Sequence, residues 1–279
     1  MARRTLTVFA RNKLALTGAL VLLGLLAFCF LGPLIHPTDQ IHTDLTQASL
    51  APGGAHPLGT TDLGYDLLGR LMYGGQTSLE VGLAAGLLAT LFGTVYGAVA
   101  GYFGGWVDAA MMRVTDAALA IPALFLLVVV AAIVTPSKPV LILIIASVAW
   151  LSPARLIRGE ALALRSRDYI HAMRLMGGGG GRAVFRHIVP NAIGTVIVNA
   201  TFQIADAILY VAYLSFLGLS IPPPAADWGS MLSAGITYTQ VGYWWLIFPP
   251  GIAIVLVVAA FNFIGDGLRD AFDVRLTKN

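Results

Sequence analysis

The sequence predicts an all-α membrane protein with six transmembrane helices. Apolar residues make up 57% of its 279 residues and charged residues only 11%, a balance that soluble globular domains do not have. Mean hydropathy is +0.80. Six apolar stretches are separated by polar loops, and nearly all Lys and Arg residues fall in alternate loops. This pattern excludes a soluble enzyme and indicates a polytopic membrane protein.

The apolar stretches cover residues 14–35, 78–103, 109–134, 139–156, 193–219 and 243–264. Crossing a hydrocarbon core of about 30 Å takes roughly 20 helical residues at 1.5 Å each, so each stretch is a candidate span. The only cysteine, Cys29, lies in the first stretch, which excludes an internal disulfide. We expect that stretch to remain as an uncleaved anchor, because no small-residue cleavage site follows it.

The distribution of basic residues predicts the orientation. With the N-terminus inside, only Arg70 and Lys138 of the 17 Lys and Arg residues face outward. The positive-inside rule therefore predicts that both termini are cytosolic. The cytosolic residues are Arg3, Arg4, Arg11, Lys13, Arg113, Arg155, Arg158, Arg165, Arg167, Arg174, Arg182, Arg186, Arg269, Arg275 and Lys278. This small net charge of +3 fits membrane topology and not nucleic-acid binding.

Two long loops are predicted to face outward. Residues 36–77 are rich in Pro, Gly and Asp, and we expect a short amphipathic helix near 63–73 to lie along the membrane surface. Residues 220–240 open with prolines at 222–224, which end the fifth helix. The histidines of the first loop, His36, His42 and His56, have irregular spacing that indicates turns, so we expect no metal site.

Small residues and prolines mark special positions inside the spans. Helix two repeats glycine at 82, 86, 93, 97 and 101, a spacing that lets helix backbones approach closely in lipid. The approach is either packing within the chain or packing beside a pathway shared with a partner. Pro122, Pro153 and the Pro249-Pro250 pair predict kinks in helices three, four and six.

Asp206 lies near the middle of the fifth span. A carboxylate at that depth is expensive and should face the bundle interior or water, so Asp206 is a candidate pathway residue. The alternative is a structural role, in which Asp206 is protonated or hydrogen-bonded to Gln203 or Asn199 and joins helices. No arrangement typical of a catalytic centre is evident in the sequence.

The loop at residues 160–191 is the one densely charged segment. Residues 160–176 form an amphipathic pattern with Tyr169, Met173 and Met176 on one side, and Arg167 and Arg174 on another. A run of glycines at 177–181 must end that helix. A second short helix is predicted at 182–189, closed by Pro190. The pattern indicates a cytosolic surface that docks another protein.

This loop resembles the EAA loop of ABC importer permeases, with Ala172, Gly177 and Pro190 in register. It departs from that motif at His171, Met173, His187 and Val189. Residues 56–70, 214–219, 227–232 and 261–273 also resemble the dipeptide, oligopeptide and nickel permease family, with Tyr65 where arginine is usual. The resemblance covers nearly the whole chain and indicates the second, or C-type, permease of that family.

The resemblance implies a type I importer permease fold and a non-enzymatic role. Residues 1–75 would form an N-terminal tail, first span and extracytoplasmic segment, and residues 76–279 the permease domain. Partners would be a homologous B-type permease, one or two cytosolic ATPase subunits that bind ATP and Mg²⁺, and an extracytoplasmic binding protein. That protein would meet residues 58–73 and 222–233, Asp227 and Trp228 included. The chain itself would hold no cofactor and would lie in a bacterial or archaeal plasma membrane.

The resemblance also implies roles for particular residues. The residues expected to couple the ATPase to the spans are Arg167, Tyr169, Ala172, Met173, Arg174, Met176, Gly177 and Pro190. We expect Tyr169, Met173 and Met176 to enter an apolar groove, and Arg167 and Arg174 to pair with acidic groups at its rim. The expected substrates are di- or oligopeptides, with nickel, glutathione and other small solutes as the alternatives. An ion-coupled transporter using Asp206, or a scaffold without transport, are the rival functions.

Overall fold

The computed structural model describes residues 8–276, with side chains described for residues 8–272. Arg3, Arg4 and Lys278 of the charge count lie outside the described residues, as does the side chain of Arg275. The described chain is helical, with one isolated β-bridge between Thr60 and Asp66. The prediction of an all-α protein is therefore confirmed.

Long helices cross the bundle and short ones connect them. The first is α1 (Lys13–Ile35), followed by α2 (Leu67–Phe103), α3 (Gly105–Leu119), α4 (Ala123–Ile133), α5 (Lys138–Ala149) and α6 (Leu151–Arg165). Next come α7 (Asp168–Leu175), α8 (Gly180–Ala183), a π-turn (Val184–Ile188), α9 (Val189–Asn191), α10 (Ile193–Phe216), α11 (Trp228–Ile236) and α12 (Phe248–Leu276). Within the described residues, α1, α2, α10 and α12 are each long and apolar enough to span a membrane, and the bent pairs α3–α4 and α5–α6 bring the number to six.

Helix α2 is the longest element and begins earlier than predicted. Its 37 residues make it about 55 Å long, which exceeds a hydrocarbon core of about 30 Å. The surface helix predicted near 63–73 is wrong, because residues from Leu67 onward belong to α2 and Leu67, Leu71 and Met72 are buried. The predicted domain boundary between 75 and 76 falls inside this helix, and a division there stays a prediction.

The glycines of α2 bring it against two other helices of the same chain. A Cβ on Gly86 would lie 2.7 Å from the Cα of Ile204 in α10. On the other half of α2, a Cβ on Gly93 would lie 2.6 Å from the Trp150 carbonyl oxygen, and one on Gly101 would lie 2.7 Å from that of Arg158. Real Cβ atoms do not approach this closely, so only glycine permits these contacts. Of the two interpretations of the spacing, packing within the chain is the one observed.

Helices three and four of the prediction are each broken in two. The axes of α3 and α4 differ by 82° across residues 120–122, and those of α5 and α6 by 45° at Trp150. Pro122 lies at the first break as predicted. The second break precedes Pro153, which lies in the first turn of α6. Pro249 and Pro250 also lie in a first turn, that of α12, where a missing backbone donor costs little, so the kink predicted there is absent.

Pro153 explains a polar contact at the second break. In an unbroken helix the carbonyl of Ala149 would accept a hydrogen bond from the backbone N–H of residue 153, and proline has none. The side-chain Nε2 of Gln203 donates to that carbonyl instead, at 2.5 Å, and Gln203 is buried. A residue of α10 therefore completes the backbone hydrogen bonding of the α5–α6 break, which would otherwise leave a buried acceptor unpaired.

The glycine contacts of α2 generate a matched pair of variants. Gly97→Ala places a Cβ 2.9 Å from the Arg158 backbone nitrogen and should lower the thermal stability of the purified subunit. Gly159→Ala, on the open face of α6, meets nothing within 4 Å and should raise stability by up to about 1 kcal/mol, because alanine favours helix. Thermal unfolding in detergent measures both. A Gly97→Ala protein as stable as Gly159→Ala would contradict the close packing of α2 on α6.

Candidate functional site

The charged loop forms a compact helical unit beside one end of α2. Residues 166–167 separate α7 from α6, so the single amphipathic helix predicted for 160–176 is wrong, and Glu160 belongs to α6. The sequence predicts that the whole glycine run at 177–181 interrupts the helices. The interruption is shorter in the structure, because Gly180 and Gly181 already belong to α8. We call residues 166–192 the docking loop.

One face of α7 is buried against the chain's own helices. Ile170 is fully buried and Met173 is 5% exposed, and both join an apolar cluster with residues of α2, α6 and the π-turn. The other members are Ala98, Tyr102, Ile157, Ala161, Ala183, Val184 and Ile188. The expectation that Met173 enters a partner's groove is therefore wrong: its side chain fixes α7 to the spans.

The turn after α7 is held by its glycines. Gly177 has φ +80°, and its N–H donates to the Arg174 carbonyl at 3.0 Å, while the N–H of Gly178 donates to the Met173 carbonyl at 2.9 Å. This pair of hydrogen bonds is the Schellman arrangement that ends helices. A Cβ on Gly177 would meet nothing within 4 Å. Glycine is needed there for its backbone conformation and not for space.

Arg174 also points inward. Its guanidinium carbon lies 4.8 Å from the centre of the Tyr102 ring, and its Nε donates to the Tyr102 hydroxyl at 3.3 Å. Tyr102 lies at the end of α2, so Arg174 ties α7 to that helix. The expectation that Arg174 pairs with a partner's acidic group is replaced by this contact. Arg167, by contrast, is exposed.

The outer face of the docking loop carries large apolar side chains in solvent. Leu175 is 90% exposed, Met176 81%, Phe185 61% and Tyr169 41%. Ala172 lies exposed beside them. Leu175 was not among the residues predicted from sequence. A single helix that starts at residue 160 does not separate the two faces of α7. The apolar residues Ile170 and Met173, three positions apart, mark its buried face, and this spacing is the signal that places Leu175 outside.

The second half of the docking loop returns the chain to α10. The π-turn Val184–Ile188 buries Val184 and Ile188. Pro190 is exposed and lies within α9, so it does not end the predicted second helix; α9 continues to Asn191. The Nδ2 of Asn191 donates to the His187 carbonyl at 2.6 Å. Because α6 ends at Arg165 and α10 begins at Ile193, the docking loop joins these two helices directly.

Asp206 lies in the middle of α10 and lines a cavity of about 180 Å³. The cavity lies between the α3–α4 break, the α5–α6 break and α10, and Ser152, Gln203 and Tyr210 also line it. Asp206 is exposed to this space and makes no hydrogen bond or ion pair with any described residue. The hydrogen bonds to Gln203 or Asn199 that a structural role would use are not formed; Gln203 binds Ala149 instead.

The opposite end of the bundle holds the 36–66 loop. The buried Asp66 caps α2 through the N–H of Gly69 at 2.8 Å, and its carboxylate faces His56 Nδ1 at 2.8 Å and His36 Nε2 at 3.2 Å. His56 Nε2 lies 2.7 Å from Gln47 Oε1. His36 and His56 thus brace a helix N-terminus; among the described residues no cluster of His, Cys, Asp or Glu is suited to a metal ion.

At the surface of this loop, the pKa of Asp39 falls to about 2, because the backbone N–H of Ile41 and the His42 side chain bind its carboxylate.

The 220–227 loop packs against the same end. Arg70 donates to the Pro224 carbonyl at 2.7 Å, and the indole N–H of Trp228 donates to the Leu71 carbonyl at 2.9 Å. Asp227 is 1% exposed and caps α11 through Ser230, and Trp228 is fully buried. The expectation that these two residues contact a partner is wrong. Pro222, Pro223 and Pro224 are the exposed residues of this loop.

Two family models match this chain. Residues 93–278 match the family model described as binding-protein-dependent transport system inner membrane component. Residues 1–52 match the N-terminal TM domain of oligopeptide transport permease C.

Permeases named for peptide or oligopeptide transport are similar to this chain over almost their whole length. A putative peptide permease protein of Brucella suis is 42% identical over 99% of this chain and 92% of its own. The oligopeptide transport system permease protein OppC of Escherichia coli is 40% identical over 95% of this chain and 88% of its own, and OppC of Bacillus subtilis 36% over 97% and 88%. The chain therefore belongs to the family of inner membrane components of binding-protein-dependent transport systems, as a multi-pass permease of the oligopeptide permease C type.

Proposed function

We propose that this chain is one permease subunit of an ATP-driven importer of di- or oligopeptides. The observation that carries the proposal is the docking loop: one face of α7 is locked to the spans by Ile170 and Met173, and the other presents Leu175 and Met176 to solvent. Exposing two large apolar side chains does not stabilise the isolated subunit, whereas a groove on a partner protein would bury them. Peptide as substrate is supported by the names of the similar permeases.

The proposed assembly has four kinds of member. A homologous B-type permease completes the pathway, one or two cytosolic ATPase subunits receive the docking loops and bind ATP and Mg²⁺, and an extracytoplasmic binding protein delivers the peptide. This chain is not an enzyme in that assembly. Both of its termini lie in the cytosol, in agreement with the charge distribution along the sequence.

The coupling step follows from how the docking loop is held. Tyr169, Leu175 and Met176 enter the ATPase groove, Ala172 lies against its wall, and Arg167 pairs with acidic groups at its rim. When ATP binding closes the ATPase subunits, α7 is displaced as a rigid piece, because Met173 and Arg174 fix it to the end of α2. The short connection at residues 166–167 passes this displacement to α6, and the corners at Gly177 and Pro190 pass it to α10.

The far end of the bundle receives the binding protein. The exposed prolines at 222–224 and the loop at 36–66 form the surface it meets, held in place by Arg70 and Asp66. Motion of α6 and α10 then opens or closes the pathway between the two permeases, and Asp206, on α10 at the level of both helix breaks, lines it.

Uptake in a reconstituted system tests the whole proposal. Proteoliposomes that contain this chain, its partner permease and the ATPase should accumulate tri-alanine only when ATP and the binding protein are both supplied. Omitting the ATPase should abolish accumulation. Uptake driven by an ion gradient without the ATPase would contradict the proposal and favour an ion-coupled transporter.

Two variants of α7 separate docking from folding. Leu175→Asp changes an exposed side chain, so subunit stability should shift by less than about 0.5 kcal/mol. Losing an apolar anchor in the groove should nevertheless weaken ATPase association by about 2 kcal/mol or more, which co-purification measures.

Met173→Asp is the contrasting variant. It buries a carboxylate in an apolar cluster, and should lower the free energy of unfolding by about 3 kcal/mol or more, measured as thermal unfolding in detergent. A Leu175→Asp subunit that keeps full ATPase association would overturn the assignment of the docking face.

Cysteine labelling tests the orientation. Cys29 is fully buried, so the parent chain provides an unlabelled background. With a membrane-impermeant maleimide, Pro222→Cys should react from the outside and Leu175→Cys only from the cytosolic side. Asp227→Cys, at a buried position, should react from neither. The reverse pattern for residues 222 and 175 would show the topology to be inverted.

A further inference from the structure

The cavity beside Asp206 has polar groups with no partner in the chain. Asp206, Ser152 and Tyr210 line it, and no side-chain hydrogen bond joins any of the three to a described residue. The rest of the wall is mostly apolar, with Leu119, Ile121 and Val148. An apolar wall with a few convergent polar groups is the usual form of a small-molecule site.

The charge of this cavity is not balanced from within the chain. None of the residues that line it is basic. The two arginines in the first half of α6 are already paired, Arg155 with Asp116 at 2.6 Å and Arg158 with Asp108 at 2.5 Å. Both acidic partners lie on α3, so these ion pairs join α3 to α6 and leave Asp206 uncompensated. The cavity therefore attracts a cation.

The type of cation follows from the groups present. A primary ammonium has three N–H donors and no acceptor, and a carboxylate with two hydroxyls supplies three acceptors. A transition metal would need nitrogen or sulfur ligands, and His and Cys do not line this cavity. Its volume of about 180 Å³ holds more than a single water but falls below the roughly 300 Å³ of a complete ligand pocket. It fits the end of a chain-like molecule.

We propose that this cavity is a subsite for the α-ammonium group of the transported peptide, with Asp206 as its counter-ion and the Ser152 and Tyr210 hydroxyls as further acceptors. The proposal rests on the proposed function and adds to it the part of the substrate that the permease recognises. The apolar wall accommodates the first side chain of the peptide. Because α6 and α10 both lead to the docking loop, their motion would open and close this subsite during transport.

Charge-selective labelling tests the subsite without transport. In the complete transporter, Ala123→Cys places a thiol in the cavity wall, and its rates of reaction with a cationic and an anionic methanethiosulfonate reagent are compared. Adding Asp206→Asn should lower the cationic-to-anionic rate ratio by about tenfold, since one nearby carboxylate contributes at least that much in a partly buried site. An unchanged ratio would show that a partner's basic group already neutralises Asp206, and would overturn the proposal.

Uptake of paired substrates tests recognition. Proteoliposomes are supplied with binding protein saturated with tri-alanine or with N-formyl-tri-alanine, which lacks the ammonium. Asp206→Asn should reduce uptake of tri-alanine about tenfold and leave uptake of the formylated peptide within about twofold, by the same charge argument. Glu160→Gln, which removes a carboxylate of α6 that lies outside the cavity and is unpaired among the described residues, is the matched control and should not alter the ratio of the two uptake rates.

The outcomes distinguish the two claims. If Asp206→Asn lowers the uptake of both peptides equally, or lowers neither, the subsite proposal is overturned. The proposed function still stands in that case, provided that the unmodified transporter shows ATP-driven uptake. If the unmodified transporter accumulates neither peptide, the proposed function fails, and the labelling ratio still reports whether the cavity attracts cations.

Discussion

The close approach of α2 to α6 and α10 is the constraint on which the rest of the structure depends. In lipid, helices are not driven together by exclusion of water, so their association relies on packing, and glycine lets two backbones touch. Gly93 and Gly101 seat α6, and Gly86 seats α10. One helix of 37 residues thus fixes the two helices that enter and leave the docking loop.

This arrangement links the two ends of the bundle. The last turns of α2 supply Ala98 and Tyr102 to the cluster that holds α7. In its first turns, the Leu71 carbonyl accepts a hydrogen bond from Trp228, and Arg70 donates one to the Pro224 carbonyl in the 220–227 loop. Between these ends, Gln203 of α10 satisfies the carbonyl that Pro153 leaves free at the α5–α6 break. The break, α10 and the Asp206 cavity are therefore one structural unit, and α6 and α10 connect it to the docking loop.

Much of this architecture could be predicted from the sequence, because it depends on patterns within continuous stretches of the chain. The length of the apolar stretches predicts the spans, the glycine spacing predicts the packed face of α2, and Pro122 predicts one of the two helix breaks. The start of α2 could not be predicted, since residues 67–77 read as polar and amphipathic, and their burial depends on Trp228 and on α1, which are distant in sequence.

The docking loop shows the same division. Its existence, its glycine corner and its exposed Met176 follow from local pattern. The direction of Met173 and Arg174 does not, because both turn toward Tyr102, a residue about 70 positions earlier whose proximity only the fold supplies. Likewise Asp227 and Trp228 are buried by contacts with α2 and form no contact surface, although the pair stands in a loop that the sequence places outside.

The central claim is that α7 moves with its own spans as one rigid body. Its most direct test is the distance between spin labels at Asp168→Cys and Leu91→Cys, both exposed, on α7 and α2. The distance is measured in the assembled transporter without nucleotide and with ATP bound. We expect this distance within the subunit to stay the same while that from residue 168 to a label on the partner permease changes. A change within the subunit as large as the change between subunits would show that α7 hinges on α2, and would contradict the account.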